Sequence, residues 1–199
     1  MRRALIVLLS IAAALAADNK PRFAPGQASS YPGHQTQDKI TVAAVPYTTV
    51  EEAATVFGKV KLYQEGILPV LVIIDNDTGK ALRLDLTAQL TDADNRRLDS
   101  VSPAYVVTYH AIKKRPGQPR TSPIPPIPGR STVKKGPLNT PEIEGKAFAQ
   151  KLVPPGETVY GFFYFEANYL PGTMLYLKGF SDATTGNEYL FFDVPVKKK

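Results

Sequence analysis

The apolar positions of this chain follow two rhythms. Residues 67–74 read Ile-Leu-Pro-Val-Leu-Val-Ile-Ile without a polar break. A β-branched run this short, bounded by Gly66 and Asp75, predicts a strand covered on both faces. Pro69, which has no N–H to donate, belongs near its start or on an edge. The next segment alternates: Leu82, Leu84, Leu86, Ala88 and Leu90 against Arg83, Asp85, Thr87 and Gln89. That period of two predicts an antiparallel strand buried on one face. Asn76-Asp77-Thr78-Gly79 and Asp92-Ala93-Asp94-Asn95 have turn chemistry. Further strands are predicted at 40–45, 146–152, 158–166 and, as a hairpin, 174–180 with 188–196. The strand over 158–166 carries aromatics on both faces and belongs in the centre. Val72, Ile74, Leu84, Leu86, Phe163 and Phe165 are expected to be buried.

Helical signals are few. Thr49 can cap a helix that has Glu51 and Glu52 in its first turn, where the helix dipole favours acids. Val50, Ala53, Ala54 and Phe57 share one face, and Gly58 can end it. Ser102-Pro103 reads as a cap followed by proline in the first turn. The Val- and Tyr-rich residues 104–112 argue for a strand instead, and a short helix is the preferred reading. About seven strands with short turns predict a mainly β fold, an antiparallel β-sandwich with one or two short helices.

Two stretches carry a family likeness. Residues 68–80, a hydrophobic strand ending in Asp75-Asn76-Asp77-Thr78-Gly79-Lys80, resemble a recurrent opening in exported bacterial immunoglobulin-like domains. Leu152-Val153-Pro154-Pro155-Gly156-Glu157-Thr158 before an aromatic strand resembles their later Pro-Gly-Glu turn. The resemblance implies an immunoglobulin-like sandwich of accessory function and brings no active-site residues. The proline-rich segment and the helix near residue 50 depart from a plain sandwich.

Composition changes the picture at the ends and in one insert. Arg2 and Arg3, the apolar residues 4–13 and Ala14-Leu15-Ala16 form a secretory signal over 1–16, with cleavage before Ala17. The apolar stretch is too short to span a bilayer, so no transmembrane segment is expected after its removal. The chain is therefore expected to be exported, periplasmic or secreted. Residues 17–39 are polar and rich in Pro, Gly, Gln and Ser, as in a flexible leader with no core contribution. Residues 40–196 are the expected β-sandwich domain, and Lys197-Lys198-Lys199 a basic tail. Of the 18 prolines, eight fall within 113–141, a density that favours extended, unpacked chain. The same insert holds Lys113, Lys114, Arg115, Arg120, Arg130, Lys134 and Lys135 with no acid among them, which accounts for much of the net charge of +6. Outside the cytoplasm such a cluster faces an anionic surface or only water, and nucleic acid is not an expected partner. The chain has no cysteine. That excludes disulfides, thiol catalysis, cysteine-bound metals and a lipid-anchored N-terminal cysteine.

Catalytic constellations are sparse. His34 lies in the leader and His110 beside the insert, with no acid pattern around either. Asp75, Asp77 and Gly79 fail the EF-hand spacing at the fifth position and again at Leu86 in the twelfth; Asp92 and Asp94 fail likewise. Asp85 and Glu166 are acids on predicted strands, without any spacing that brings them together. Tyr160, Phe162, Phe163, Tyr164 and Phe165 are read as core before they are read as a sugar-stacking platform. Residues 120–126 match an SH3-ligand spacing that has no role outside the cytosol of higher cells. The sequence thus predicts a non-enzymatic exported interaction or accessory module, without cofactor or metal, that binds an envelope protein, a glycan or an anionic surface. A secreted hydrolase with an unseen site is the alternative.

Overall fold

The computed structural model describes residues 23–92, 95–113 and 140–199. The expected signal segment, with Ala14, Ala16 and Ala17, lies outside the described residues, as do residues 114–139 of the insert. Along the chain run β1 (His34–Gln37), β2 (Ile40–Pro46), α1 (Val50–Phe57), β3 (Leu68–Asn76), β4 (Leu82–Thr91), β5 (Arg97–Asp99), α2 (Pro103–Lys113), α3 (Thr140–Glu144), β6 (Leu152–Val153), β7 (Thr158–Phe165), β8 (Met174–Asp182) and β9 (Phe192–Pro195). The strands form two antiparallel sheets. Sheet A has the order β1-β2-β3-β7; sheet B has the order β5-β4-β8-β9, with β6 also paired to β4.

The two rhythms of the sequence are explained by layering. Between the sheets lies one apolar layer: Val42, Val70, Val72 and Ile74 of sheet A meet Leu82, Leu84, Leu177, Phe180 and Val194 of sheet B. On the other side of sheet A lies a second layer. Ala43, Leu71, Ile73, Phe162 and Tyr164 meet Ala53 and Phe57 of α1, Val106 of α2 and Ile143 of α3. The centre of sheet A is therefore buried on both faces, and every residue of β2 and β3 is buried. Sheet B is covered on one face among the described residues, and β4 keeps its alternation. Pro69 sits at the second residue of β3. The α1 cap is a reciprocal capping box: Glu52 N–H donates to Thr49 Oγ1 at 3.2 Å, and Thr49 N–H donates to Glu52 Oε2 at 3.1 Å. Residues 103–113 are helix, as the capping signal has it.

Four expectations are corrected. Residues 23–39 are part of the fold: Ala28 and Tyr31 are buried, and β1 pairs with β2 through a two-residue turn in which Asp38 and Lys39 have φ of 50° and 62°. A polar strand such as His-Gln-Thr-Gln is held by backbone pairing, so it leaves no apolar trace in the sequence. The alternation over 146–152 is not one strand. Lys146 and Phe148 bond along β7, while Leu152–Val153 pairs with β4 in the other sheet. Leu86 is half-buried because β4 bulges between Leu84 and Thr87. The bulge faces Gly179, whose φ is 101° and whose missing Cβ would strike the Asp85 carbonyl. Phe163 is half-buried too, stacked on Phe148 with ring centroids 5.5 Å apart.

Candidate functional site

Several of the residues singled out as chemistry have structural partners. Asp75 accepts from Ala28 N–H at 2.8 Å and from the Thr158 hydroxyl at 2.7 Å, tying the N-terminal segment and β7 to β3. His34 Nδ1 lies 2.6 Å from the Tyr31 carbonyl. Asp92 Oδ2 pairs with Arg96 Nε at 2.8 Å. Asp85 pairs with Lys151 at 3.5 Å, whereas Glu166 accepts from Tyr105 OH at 2.8 Å, so the two predicted acids have separate partners. The aromatics of β7 are core or half-buried on both faces, as expected. Lys114, Arg115, Arg120, Arg130, Lys134 and Lys135 lie outside the described residues; Lys113 ends α2. No group of three or more His, Asp or Glu converges as a metal site among the described residues.

Asn76 explains both stretches of the sequence likeness. It is fully buried, and its Nδ2 donates to the carbonyls of Lys80, Val153 and Pro154 at 2.7, 2.9 and 3.0 Å. Its Oδ1 accepts from the Thr78 hydroxyl at 2.7 Å. Its backbone N–H donates to Glu157 O at 3.1 Å, and its carbonyl accepts from Gly156 N–H at 2.6 Å. One residue thus joins the β3–β4 turn to the Pro-Gly-Glu turn.

Two surface features remain. The first is a cleft of about 550 Å³ lined by Leu90, Asp92, Arg96, Leu98, Glu166 and Thr173, at the end of the sheets where β7 gives way to the 166–173 loop. Both of its carboxylates are bonded to Arg96 and Tyr105, as above. The second is the outer face of sheet B. Leu175, Leu177 and Phe180 of β8 point inward and are buried, so Tyr176 and Lys178 point out. Phe192 and Val194 point inward, so Phe191 and Asp193 point out. The strand pairing sets Gln89 and Asp193 directly on either side of Tyr176. The rings of Tyr176 and Phe191 lie 5.0 Å apart with a 36° tilt. The Arg97 guanidinium sits 5.9 Å from the Tyr176 ring centre, and Gln89 Nε2 donates to Asp99 Oδ1 at 2.7 Å. Phe191 is 46% exposed and its neighbour Leu190 66% exposed.

Sequence reasoning missed this face. Its signal was the outward phase of residues 174–178, where an aromatic stands among polar neighbours, followed by the Phe191-Phe192 doublet. A doublet sends its rings to opposite faces of a sheet, so one of them is out where a sheet is covered on a single face.

A scan against known families finds no match. A search of curated proteins finds none either. Among solved structures, the chain is similar to the X-ray structure of Northeast Structural Genomics Consortium target SoR45, at 12% identity and a TM-score of 0.31, covering 80% of this chain and 83% of that one. No helix among the described residues is long and apolar enough to cross a membrane.

Proposed function

We propose that this chain is an exported, non-enzymatic interaction module of immunoglobulin-like build, which engages a component of a bacterial envelope through the outer face of sheet B. The observation that carries this reading is the contrast between the two sheets. The β2–β3 centre of sheet A is buried on both faces, whereas sheet B presents Tyr176 and Phe191 outward with Leu190 beside them. Exposed aromatics grouped on one otherwise polar face mark an interaction site more often than chance does. The strand order supports the immunoglobulin-like part. β2, β3 and β7 follow one another in sheet A, and β5, β4, β8 and β9 in sheet B, an arrangement that matches strands A, B, E and C′, C, F, G of such a domain. Export and an accessory role rest on residues 1–16 and on the sequence likeness. For the hydrolase alternative the described residues offer the cleft with Asp92 and Glu166, whose side chains are already engaged.

Co-sedimentation of protein from cells expressing the full chain with isolated cell envelopes tests the reading. Binding is expected, and it is expected to fall when Tyr176 and Phe191 are both replaced by Ala. Undiminished binding of that double variant overturns the assignment to this face.

A further inference from the structure

Resting on that docking face, we infer that its occupant is a neutral polysaccharide stacked on Tyr176 and Phe191. The argument begins with shape. Two rings 5.0 Å apart and tilted by 36° make a shallow apolar trough, and they lie diagonally across neighbouring strands because Leu177 pairs with Phe192. The face of a pyranose ring presents C–H groups that carry slight positive charge, which are drawn to the negative face of an aromatic ring. The rim supplies both kinds of hydrogen-bonding partner that sugar hydroxyls need: Arg97 donates, Asp99 and Asp193 accept, and the Gln89 amide does both.

Charge narrows the occupant. Arg83, Arg97, Lys178 and the Lys151 that pairs with Asp85 stand against Asp85, Asp99 and Asp193. With a single cation in excess the balance is close to neutral, which complements an uncharged polyol. It gives little attraction for an anionic polymer or lipid headgroup, which needs a larger cationic excess.

The test is native affinity electrophoresis of protein from cells expressing the full chain, in gels containing a soluble glucan, a mannan, a galactan or the anionic polygalacturonate. Retardation is expected on at least one neutral polymer and is expected to survive high salt. Tyr176→Ala is expected to weaken it about tenfold, since a stacking contact is worth on the order of 1 kcal/mol or more, and Tyr176→Phe is expected to retain it. Both side chains face outward, so the variants should melt like the parent, and melting is measured alongside. Retardation on polygalacturonate alone, abolished by salt, overturns the inference. So does no retardation on any neutral polymer, or neutral binding unchanged in Tyr176→Ala. If envelope binding still needs Tyr176 and Phe191 while no polysaccharide binds, the occupant is a protein: the polysaccharide inference falls and the interaction reading stands. If envelope binding ignores both rings, the reading itself falls.

Discussion

Replacing Asn76 tests whether the fold depends on one polar residue at the meeting of two turns. Asn76→Asp keeps the size and keeps an acceptor for the Thr78 hydroxyl. It removes the amide N–H groups that face three carbonyl oxygens, of Lys80, Val153 and Pro154, and puts a carboxylate among them. Each lost hydrogen bond is worth about 1 kcal/mol net, and a buried acceptor left unpaired costs about 1–3 kcal/mol. Added to these is the repulsion between a buried carboxylate and carbonyl dipoles, which the group can escape only by taking up a proton. The expected loss is therefore about 3–5 kcal/mol, a large share of the ~5–15 kcal/mol of a typical domain. Asn76→Ala should cost less, about 2–4 kcal/mol, because it leaves unpaired carbonyls without adding charge. Urea unfolding followed by far-UV circular dichroism at neutral pH gives both values. Asn76→Asp is also expected to recover stability as the pH falls through the acid range, where the carboxyl protonates and can donate again. An Asp variant within about 1 kcal/mol of the parent at neutral pH, or one no more damaging than Ala, would refute the reasoning.

Further outcomes follow from the packing. Phe165→Ala, in a fully buried ring, should cost about 3–5 kcal/mol, whereas the half-buried Phe163→Ala should cost clearly less; equal losses in thermal melts would contradict the layering. Gly179→Ala should destabilise the domain, because Gly179 has a φ of 101° and its added Cβ meets the Asp85 backbone; an unchanged melting temperature would show that the bulge is dispensable. Asp182 is held down to about 2 by its hydrogen bond from Lys80 and by the backbone N–H groups of Thr185 and Thr184. A lowered carboxyl stabilises the folded state fully above the unfolded value of about 3.9. That contribution fades as the pH drops from about 4 towards about 2, so urea titrations of Asp182→Asn should show a flatter acid limb than the parent.

The sequence was most legible where burial was simplest. The unbroken run of β3 announces a strand covered on both faces, and the alternation of β4 announces one covered on a single face. Thr49, Glu52 and Gly58 mark the ends of α1 because caps act locally. Tertiary pairing is what periodicity does not carry. β1 is polar and exists through its bonds to β2; residues 146–152 alternate yet divide between sheets; Leu86 and Phe163 are displaced by a bulge and by Phe148. Tyr176 and Phe191 went unseen for a related reason. The strands were predicted, but which sheet they join and which of its faces has a cover are settled only by the order of strands and the placing of helices.

The arrangement around β7 also bears on how the chain avoids sticking to itself. This aromatic strand lies at the edge of sheet A, where unpaired backbone groups invite another chain to add on. Here the edge is capped: Phe162 N–H donates to Lys146 O at 2.9 Å, Phe148 N–H donates to Phe162 O at 3.0 Å, and Val101 N–H donates to Tyr164 O at 2.8 Å. The cap comes this close because Gly161 has no Cβ to strike the backbone of Phe148. Both capping segments precede β7 in the chain, so during synthesis they emerge first. This aromatic strand is then delivered to an edge whose cover precedes it in the chain, and a circular permutation that moves 101–148 behind β7 is expected to lower the soluble yield.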